Sequence, residues 1–304
     1  MKFDLDDLRI FLTVARSESL SGAGRALRLD PATVGRRVAR LEEGLALRLF
    51  AKSPQGYAWT EDGARLLAHA ERVETEVSGA QEALRGTTGG LTGLIRLGAP
   101  DGCANYLLPQ VLAGIADENP GLDVQIVALP RVFNLSRREA DLAIGVSRPE
   151  AGRLTVQRIA EYRLHLAAAR GYLDGHGVPL TRDDLKDHRI VGYIPDMIFD
   201  KELDYLTDLG IGRVQLASNS VPVQLNWLRV GAGVGMVHAF AMPFAPELVP
   251  VLPEIALTRA FWLIRHADDA RSARLTRFAE ALAAGVRAEV ARLEAGVLGI
   301  AKGS

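Results

Sequence analysis

Residues 28–43 read RLDPATVGRRVARLEE. Asp30 and Pro31 predict the start of a helix: an N-cap carboxylate accepts from the free N–H groups of the first turn, and proline fits the first helical position, where its missing donor costs nothing. Val34, Val38, Leu41 and Leu45 follow at spacings of four, three and four, which makes one buried stripe. Thr33, Arg36, Arg37 and Arg40 share another face. Upstream, Leu8, Phe11, Leu12 and Ala15 predict a helix over 6–16, and a second short helix fits 21–27 with Ser21 as its cap. Downstream, LRLFAKSPQGYAWT (47–60) has two strand-like pieces around a Ser53-Pro54-Gln55-Gly56 turn, a hairpin signal. Two short helices joined by a tight turn, the second basic, followed by a hairpin, constrain this segment to a winged helix-turn-helix. Such a second helix enters the major groove, where arginine pairs with guanine and phosphate. Lys52 and Gln55, on the hairpin, are placed to reach the DNA backbone or minor groove.

The whole chain, 304 residues with a formal net charge of −1, is no polyelectrolyte binder, so any affinity for nucleic acid has to be local. It is local: residues 21–60 hold seven basic side chains against three acidic ones. Hydrophobic residues at 48% and charged ones at 24% describe a globular protein with real cores. One cysteine, Cys103, excludes an internal disulfide and any multi-cysteine metal site. The start, MKFDLDDLRIF, crowds three aspartates into seven residues and is not a secretory signal. A cytoplasmic protein without membrane spans is expected.

Thr60 caps a long helix with Glu61 and Asp62 in its first turn. Leu66, Ala70, Val73, Val77, Ala80 and Leu84 alternate spacings of four and three, a heptad seam that wants either its own domain or a second copy. GTTGG (86–90) is a flexible joint. From 91 onward, strand-like runs (94–99, 123–129, 140–146, 164–169, 189–194, 213–218, 233–238, 261–266) alternate with helical ones (104–118, 182–187, 220–230, 271–294). The expectation is an α/β unit of mostly parallel sheets covered on both faces. Ligands bind beyond the carboxyl ends of such strands, at helix N-termini. APDGCANY (99–106) and ASNSVPVQ (217–224) are strand-to-helix turns of this kind; they contain Pro100, Asp101, Gly102 and Cys103, and Ser218, Asn219 and Ser220. His238 ends a strand where it can face a cleft or serve as a satisfied structural histidine. Cys103 sits near a helix N-terminus, where its pKa can fall, although an apolar packing role fits a thiol with no resolving partner. There is no HExxH, GxSxG, P-loop or complete GxGxxG, and the six histidines lack metal-ligand spacing. Neither an enzyme nor a cofactor is expected. The rival is an α/β solute-binding or enzymatic protein with no DNA role.

At this point the chain resembles the LysR-type transcriptional regulators over nearly its whole length. The resemblance lies in FLTVARSESLSGAGRALRLDPATVGRRVARLEEGLALRLF, YAWTEDGARLL, the long helix, IRLGAP, YLLPQVLAGIADENPGLDVQIV, ADLAIGV and LRVGAGVGMV. It implies a winged helix-turn-helix over 1–60, a linker and dimerisation helix with hinge over 61–90, and an effector domain over 91–296. That domain would be periplasmic-binding-protein-like, with subdomain I at 91–163 and 266–296 and subdomain II at 164–265. It further implies a homodimer or homotetramer on double-stranded promoter DNA, with a small-molecule effector in the interdomain cleft. Carried over residue by residue, DNA contacts fall on Pro31, Ala32, Thr33, Arg36, Arg37 and Arg40. Gly35 departs from the family, which often has a DNA-contacting serine there. The implied cleft adds Leu129, Arg131, Gly145, Val146, Pro195 and Asp196 to the two turns. Where many relatives carry Ser or Thr near 100–102, this chain has Pro-Asp-Gly, and an acid there disfavours a simple carboxylate inducer unless Arg131 or another cation offsets it.

Overall fold

The computed structural model describes residues 4–53, 56–85, 90–128, 140–149, 152–267, 269 and 272–300. It divides into two compact units, the first of residues 1–89 with 271–273 and the second of the remainder.

The first unit runs α1 (Leu5–Ser17), α2 (Leu20–Leu27), α3 (Pro31–Leu45), a hairpin of β1 (Phe50–Ser53) and β2 (Gly56–Trp59), and α4 (Glu61–Arg85). Asp30 caps α3 through its side chain, which accepts from the Thr33 N–H at 3.3 Å, and Pro31 opens the helix. The cap of α2 is Ser19, not Ser21: the Ser19 hydroxyl accepts from the Gly22 N–H at 3.2 Å. The reason is Leu20, which packs against the core and so draws the helix start forward. Phe11, Val14, Ala23, Val34 and Leu49 are wholly buried between the three helices and the hairpin, and Phe11 meets Phe50 with ring centroids 5.2 Å apart. Truncating a phenylalanine so placed costs about 3–5 kcal/mol.

Two polar devices hold the hairpin to the helices. The buried Glu42 carboxylate accepts from the Leu49 and Phe50 N–H groups at 2.8 and 3.2 Å and from Arg48 at 2.9 Å. Thr60 donates to the Arg48 carbonyl at 2.6 Å and caps α4 by accepting from the Gly63 N–H at 3.0 Å. Gly63 approaches so closely that a Cβ there would stand 2.1 Å from the Leu49 carbonyl oxygen. Along α4, Leu66, Leu67 and Ala70 join this core, whereas Val73 and Val77 are 37% and 47% exposed. The apolar seam thus divides into an internal half and an open half.

The second unit holds β3 (Thr92–Ala99), α5 (Asp101–Tyr106), α6 (Leu108–Glu118), β4 (Gly121–Ala128), β5 (Leu142–Gly145), β6 (Leu154–Ala169), α7 (Arg170–His176), β7 (Ile190–Gly192), β8 (Leu216–Ala217), α8 (Val221–Arg229), β9 (Val234–His238), β10 (Leu248–Pro250), β11 (Ala256–His266) and α9 (Ala273–Ile300). The expected helix over 104–118 is two helices, because Pro109 in the first turn of α6 has no N–H to continue the ladder of α5. The expectation of mostly parallel sheets is also corrected. The strand order is β4-β3-β5-β11-β6-β9-β7-β8, with β10 on β6. β4, β3 and β5 are parallel at one end, and β9, β7 and β8 at the other. Between them β6 and β11 run antiparallel along almost their full lengths. Two parallel halves are therefore joined by one long antiparallel pair, the arrangement of a two-subdomain α/β unit. The strand expected at 164–169 is only the end of β6, which begins at Leu154. α9 packs along the pair: Glu294 accepts from the Arg163 N–H at 2.8 Å, and Arg287 donates to the Ile159 carbonyl at 3.1 Å. No helix among the described residues is long and apolar enough to cross a membrane.

Gly35 lies inside α3, and a Cβ there would meet only Leu20 Cδ1, at an ordinary 3.4 Å. Gly35→Ala should therefore stabilise the first unit by up to about 1 kcal/mol through helix propensity; a raised melting temperature by calorimetry checks it, and a lowered one contradicts it.

Candidate functional sites

On α3, Pro31, Ala32 and Arg36 are exposed and Thr33 is half-buried. Arg36 donates to the Thr33 hydroxyl at 2.9 Å, which lays its guanidinium along the first turns of the helix. Arg37 and Arg40 are placed differently. Both bond to Asp7 of α1, whose carboxylate is buried: Arg37 Nη1 reaches Oδ1 at 2.8 Å, and Arg40 Nη2 reaches Oδ1 at 2.6 Å while its Nε reaches Oδ2 at 2.7 Å. Arg40 also touches Asp4 at 3.2 Å. The basic face read from the sequence is thus two populations. Arg36 points its charge outward, and Arg37 and Arg40 satisfy a buried acid. The Arg40 side chain, 55% exposed, keeps part of its surface free for a second partner. Lys52 is on β1 but its side chain is not described, and Gln55 lies outside the described residues.

In the second unit the strand-to-helix turns converge across the two halves. Asp101, at the start of α5, accepts from the Ser220 hydroxyl at 2.8 Å and the Val221 N–H at 3.0 Å, both at the start of α8. Its other oxygen accepts from Asn105 at 2.8 Å. Ser147 donates to Asp200, a second bond between the halves. Pro100, Asp101, Gly102, Cys103, Val146 and Asn219 line the cleft so formed, which narrows to about 20 Å³, room for roughly one water. Its floor is aromatic. Tyr162 stacks on Phe261 at 4.2 Å and lies 5.5 Å from the His238 ring. The Tyr162 hydroxyl is buried without a well-formed hydrogen bond, although Tyr205 neighbours it. Tyr205 itself makes a long 3.5 Å contact with His238 Nε2. Burial pushes the phenols of Tyr162, Tyr193 and Tyr205 far up, so all three stay protonated. It pushes His238 down to about 4, so that ring is neutral at pH 7. Burial also raises the Cys103 thiol, overriding the lowering expected from a nearby helix N-terminus.

Residues 5–64 match the model for bacterial regulatory helix-turn-helix proteins of the lysR family, and residues 88–287 match the LysR substrate binding domain. The chain belongs to the LysR family. Among LysR-type relatives, the transcriptional activator TtdR of Escherichia coli (strain K12) is 27% identical over 91% of this chain and 92% of its own length. The transcriptional regulator DgdR of Burkholderia cepacia is 30% identical over 85% and 87%. A full-length OxyR variant from Pseudomonas aeruginosa superposes with a TM-score of 0.73 at 17% identity, covering 94% and 95% of the two chains, which shows a shared fold.

Within this LysR-type frame the remaining sequence candidates scatter. Ser220 acts through Asp101, and Ser218 accepts from the Ser220 N–H at 3.1 Å and from Gln224 through its carbonyl at 2.7 Å, so it shapes the turn without lining the cleft. Gly145 is not among the described residues lining this cleft; its site is tight, a Cβ there standing 2.8 Å from Ile264. Pro195 lines a neighbouring chamber of about 320 Å³, while Asp196 is exposed and lines neither space. Leu129 and Arg131 lie outside the described residues. Tyr162, Tyr193, Phe199, Tyr205, Val221 and Phe261 line the cleft without having been singled out from the sequence. Two of them are on the long crossing strands β6 and β11, and three lie in the stretch of short 3-10 turns between β7 and β8, where no periodicity marks a face.

His238 yields a pH signature. Between pH 6.5 and about 4 the folded chain keeps this ring neutral while the unfolded chain takes up a proton, so stability is complete above that window and falls as the pH drops through it. His238→Phe, which keeps an aromatic among Tyr162, Tyr205 and Phe240, should show a smaller loss of melting temperature from pH 7 to 4.5 than the parent. Equal losses in the two proteins would refute the assignment.

Proposed function

We propose that this LysR-type protein is a sequence-specific transcriptional regulator whose DNA affinity is set by a small molecule in the cleft of the second unit. The observation that carries it is α3: a helix capped by Asp30, exposed along Pro31, Ala32 and Arg36, basic, and buttressed by the β1–β2 hairpin. Such a helix presents its early residues to base edges in the major groove. Thr33 and Arg36 are the base- or phosphate-reading pair, and Arg40 adds a phosphate contact with the face it does not give to Asp7. Gly35 contributes no side-chain contact, which concentrates readout on its neighbours. By their sequence positions on the hairpin, Lys52 and Gln55 are assigned to the DNA backbone or minor groove. Operation on promoter DNA assigns the protein to the cytoplasm, and its role is regulation rather than catalysis.

Arg36→Ala should weaken binding to the chain's own upstream DNA in a gel shift while leaving the melting temperature unchanged, and should either lower the salt slope by about one or cost about 1–3 kcal/mol at one base position. Arg37→Ala should lower the melting temperature as well, because it strips a bond from the buried Asp7 carboxylate. Parent-like DNA binding by Arg36→Ala would show that another face meets the duplex.

Self-association follows from α4. Its open half, with Val73 and Val77 exposed, continues the heptad seam and seats a second copy of the same helix, which presents two α3 helices to half-sites about one helical turn apart or a multiple of it. Val77→Asp should shift the protein toward monomer in sedimentation velocity and weaken operator binding; an unchanged sedimentation coefficient would exclude this helix as the interface.

A further inference from the structure

The cleft is charged in one sense only. Among the described residues lining it, Asp101 is the one acid and there is no lysine or arginine, while His238 is held neutral by burial. Arg259, whose field reaches Tyr162 and Tyr205, is paired with Glu202 at 2.9 Å. The Asp101 carboxylate already sits on the first turn of α8, on the Ser220 hydroxyl and the Val221 N–H. A helix N-terminus is where an incoming anion gains most from free N–H groups. Here the protein's own anion occupies that seat, and a ligand carboxylate meets both a filled site and a like charge.

What the cleft does offer is acceptors and ring faces. Tyr162, Tyr193, Phe199, Tyr205 and Phe261 supply aromatic surface, and the negative face of such a ring attracts a cation. The Tyr162 oxygen is buried without a well-formed hydrogen bond; the Tyr205 hydroxyl is aimed at it, and the second lone pair of a phenol oxygen is left for an N–H donor. The cleft has room for little more than a head group. The chamber of about 320 Å³ beyond Tyr193, Leu203 and Tyr205, which line both spaces, has room for a body, and among the described residues no lysine, arginine or histidine lines it, while Asp204 does.

We infer that the effector of this cleft is an organic ammonium ion, its charge met by the Asp101 carboxylate, its N–H groups by the Tyr162 oxygen, and its body by the ring faces around them. This rests on the proposed role of the cleft as an effector site. Tyr193, Leu203 and Tyr205 are the shared wall of the two spaces, so a ligand that spans both has to displace these side chains.

The probes are benzylammonium and benzoate, near-equal in shape and opposite in charge, titrated calorimetrically at pH 7 into the full-length protein. Benzylammonium should bind and benzoate should not. Asp101→Asn, which keeps an acceptor for Ser220 and Val221 but no charge, should weaken the cation by at least about tenfold. Asp101→Ser, which vacates the start of α8, should lose the cation and gain benzoate; a merely destabilised protein gains neither. The inference is overturned if the parent takes benzoate as well as benzylammonium, if Asp101→Asn binds the cation like the parent, or if the parent binds neither ion while still shifting its upstream DNA. Cation binding by a parent that shifts no DNA would leave the inference standing and overturn the regulatory function instead.

Discussion

Asp7 is a carboxylate taken out of water and given two arginines in exchange. An isolated buried carboxylate is expensive, and the cost is offset only when its oxygens are fully bonded. Arg37 and Arg40 come from the third helix, thirty or more residues away, so the ion cluster fixes the azimuth of α3 on α1 more tightly than the apolar stripe could. The consequence reaches the surface. With two of its three clustered arginines turned toward Asp7, α3 presents Arg36 and the Thr33 hydroxyl as its outward polar pair. Glu42 does the corresponding work at the other end of α3, tying down the start of β1 through two backbone N–H groups. Buried acids, not added positive charge, set the geometry of the outward face of α3.

The second unit follows a different logic. Its two parallel halves are each ordinary α/β layers, and what makes them one unit is the long pairing of β6 with β11. Strands passing from one half to the other leave the carboxyl ends of the remaining strands facing across a gap, and the gap is where Asp101 meets Ser220 and Val221. A hydrogen bond between the halves at that place is a closing contact. Its energy depends on what else occupies the gap, which is the physical requirement for coupling a ligand to domain closure.

Much of the architecture was legible in the chain itself. Asp30 with Pro31, the four-three-four stripe, and Thr60 before Glu61 and Asp62 placed α3 and α4 because capping and periodicity are local effects. The strand-to-helix turns at 99–106 and 217–224 were legible for the same reason, and they do meet. Other features were not. Ser19 displaced Ser21 as a cap because Leu20 had to reach a core formed by distant residues. The mixed sheet was hidden because alternating strands and helices have the same sequence pattern whether a long strand continues into the next half or stops. Tyr193, Phe199 and Tyr205 fall in irregular backbone between short 3-10 turns, where side chains have no period to read.

The sequence alone determined the winged helix-turn-helix, the long helix after it and the α/β character of the remainder, since each follows from caps, turns and apolar spacing within a few residues. It also determined that positive charge is concentrated before residue 61. Only the tertiary structure decided which of those charges are free. The three aspartates of the first seven residues have no evident purpose in the linear chain; folded, Asp4 and Asp7 lie against α3 and engage Arg37 and Arg40, leaving Arg36 outward. Likewise, that Asp101 fills the anion seat at the start of α8 was settled by folding, because a carboxylate's partner 119 residues away is chosen by packing in three dimensions and leaves no trace in local spacing.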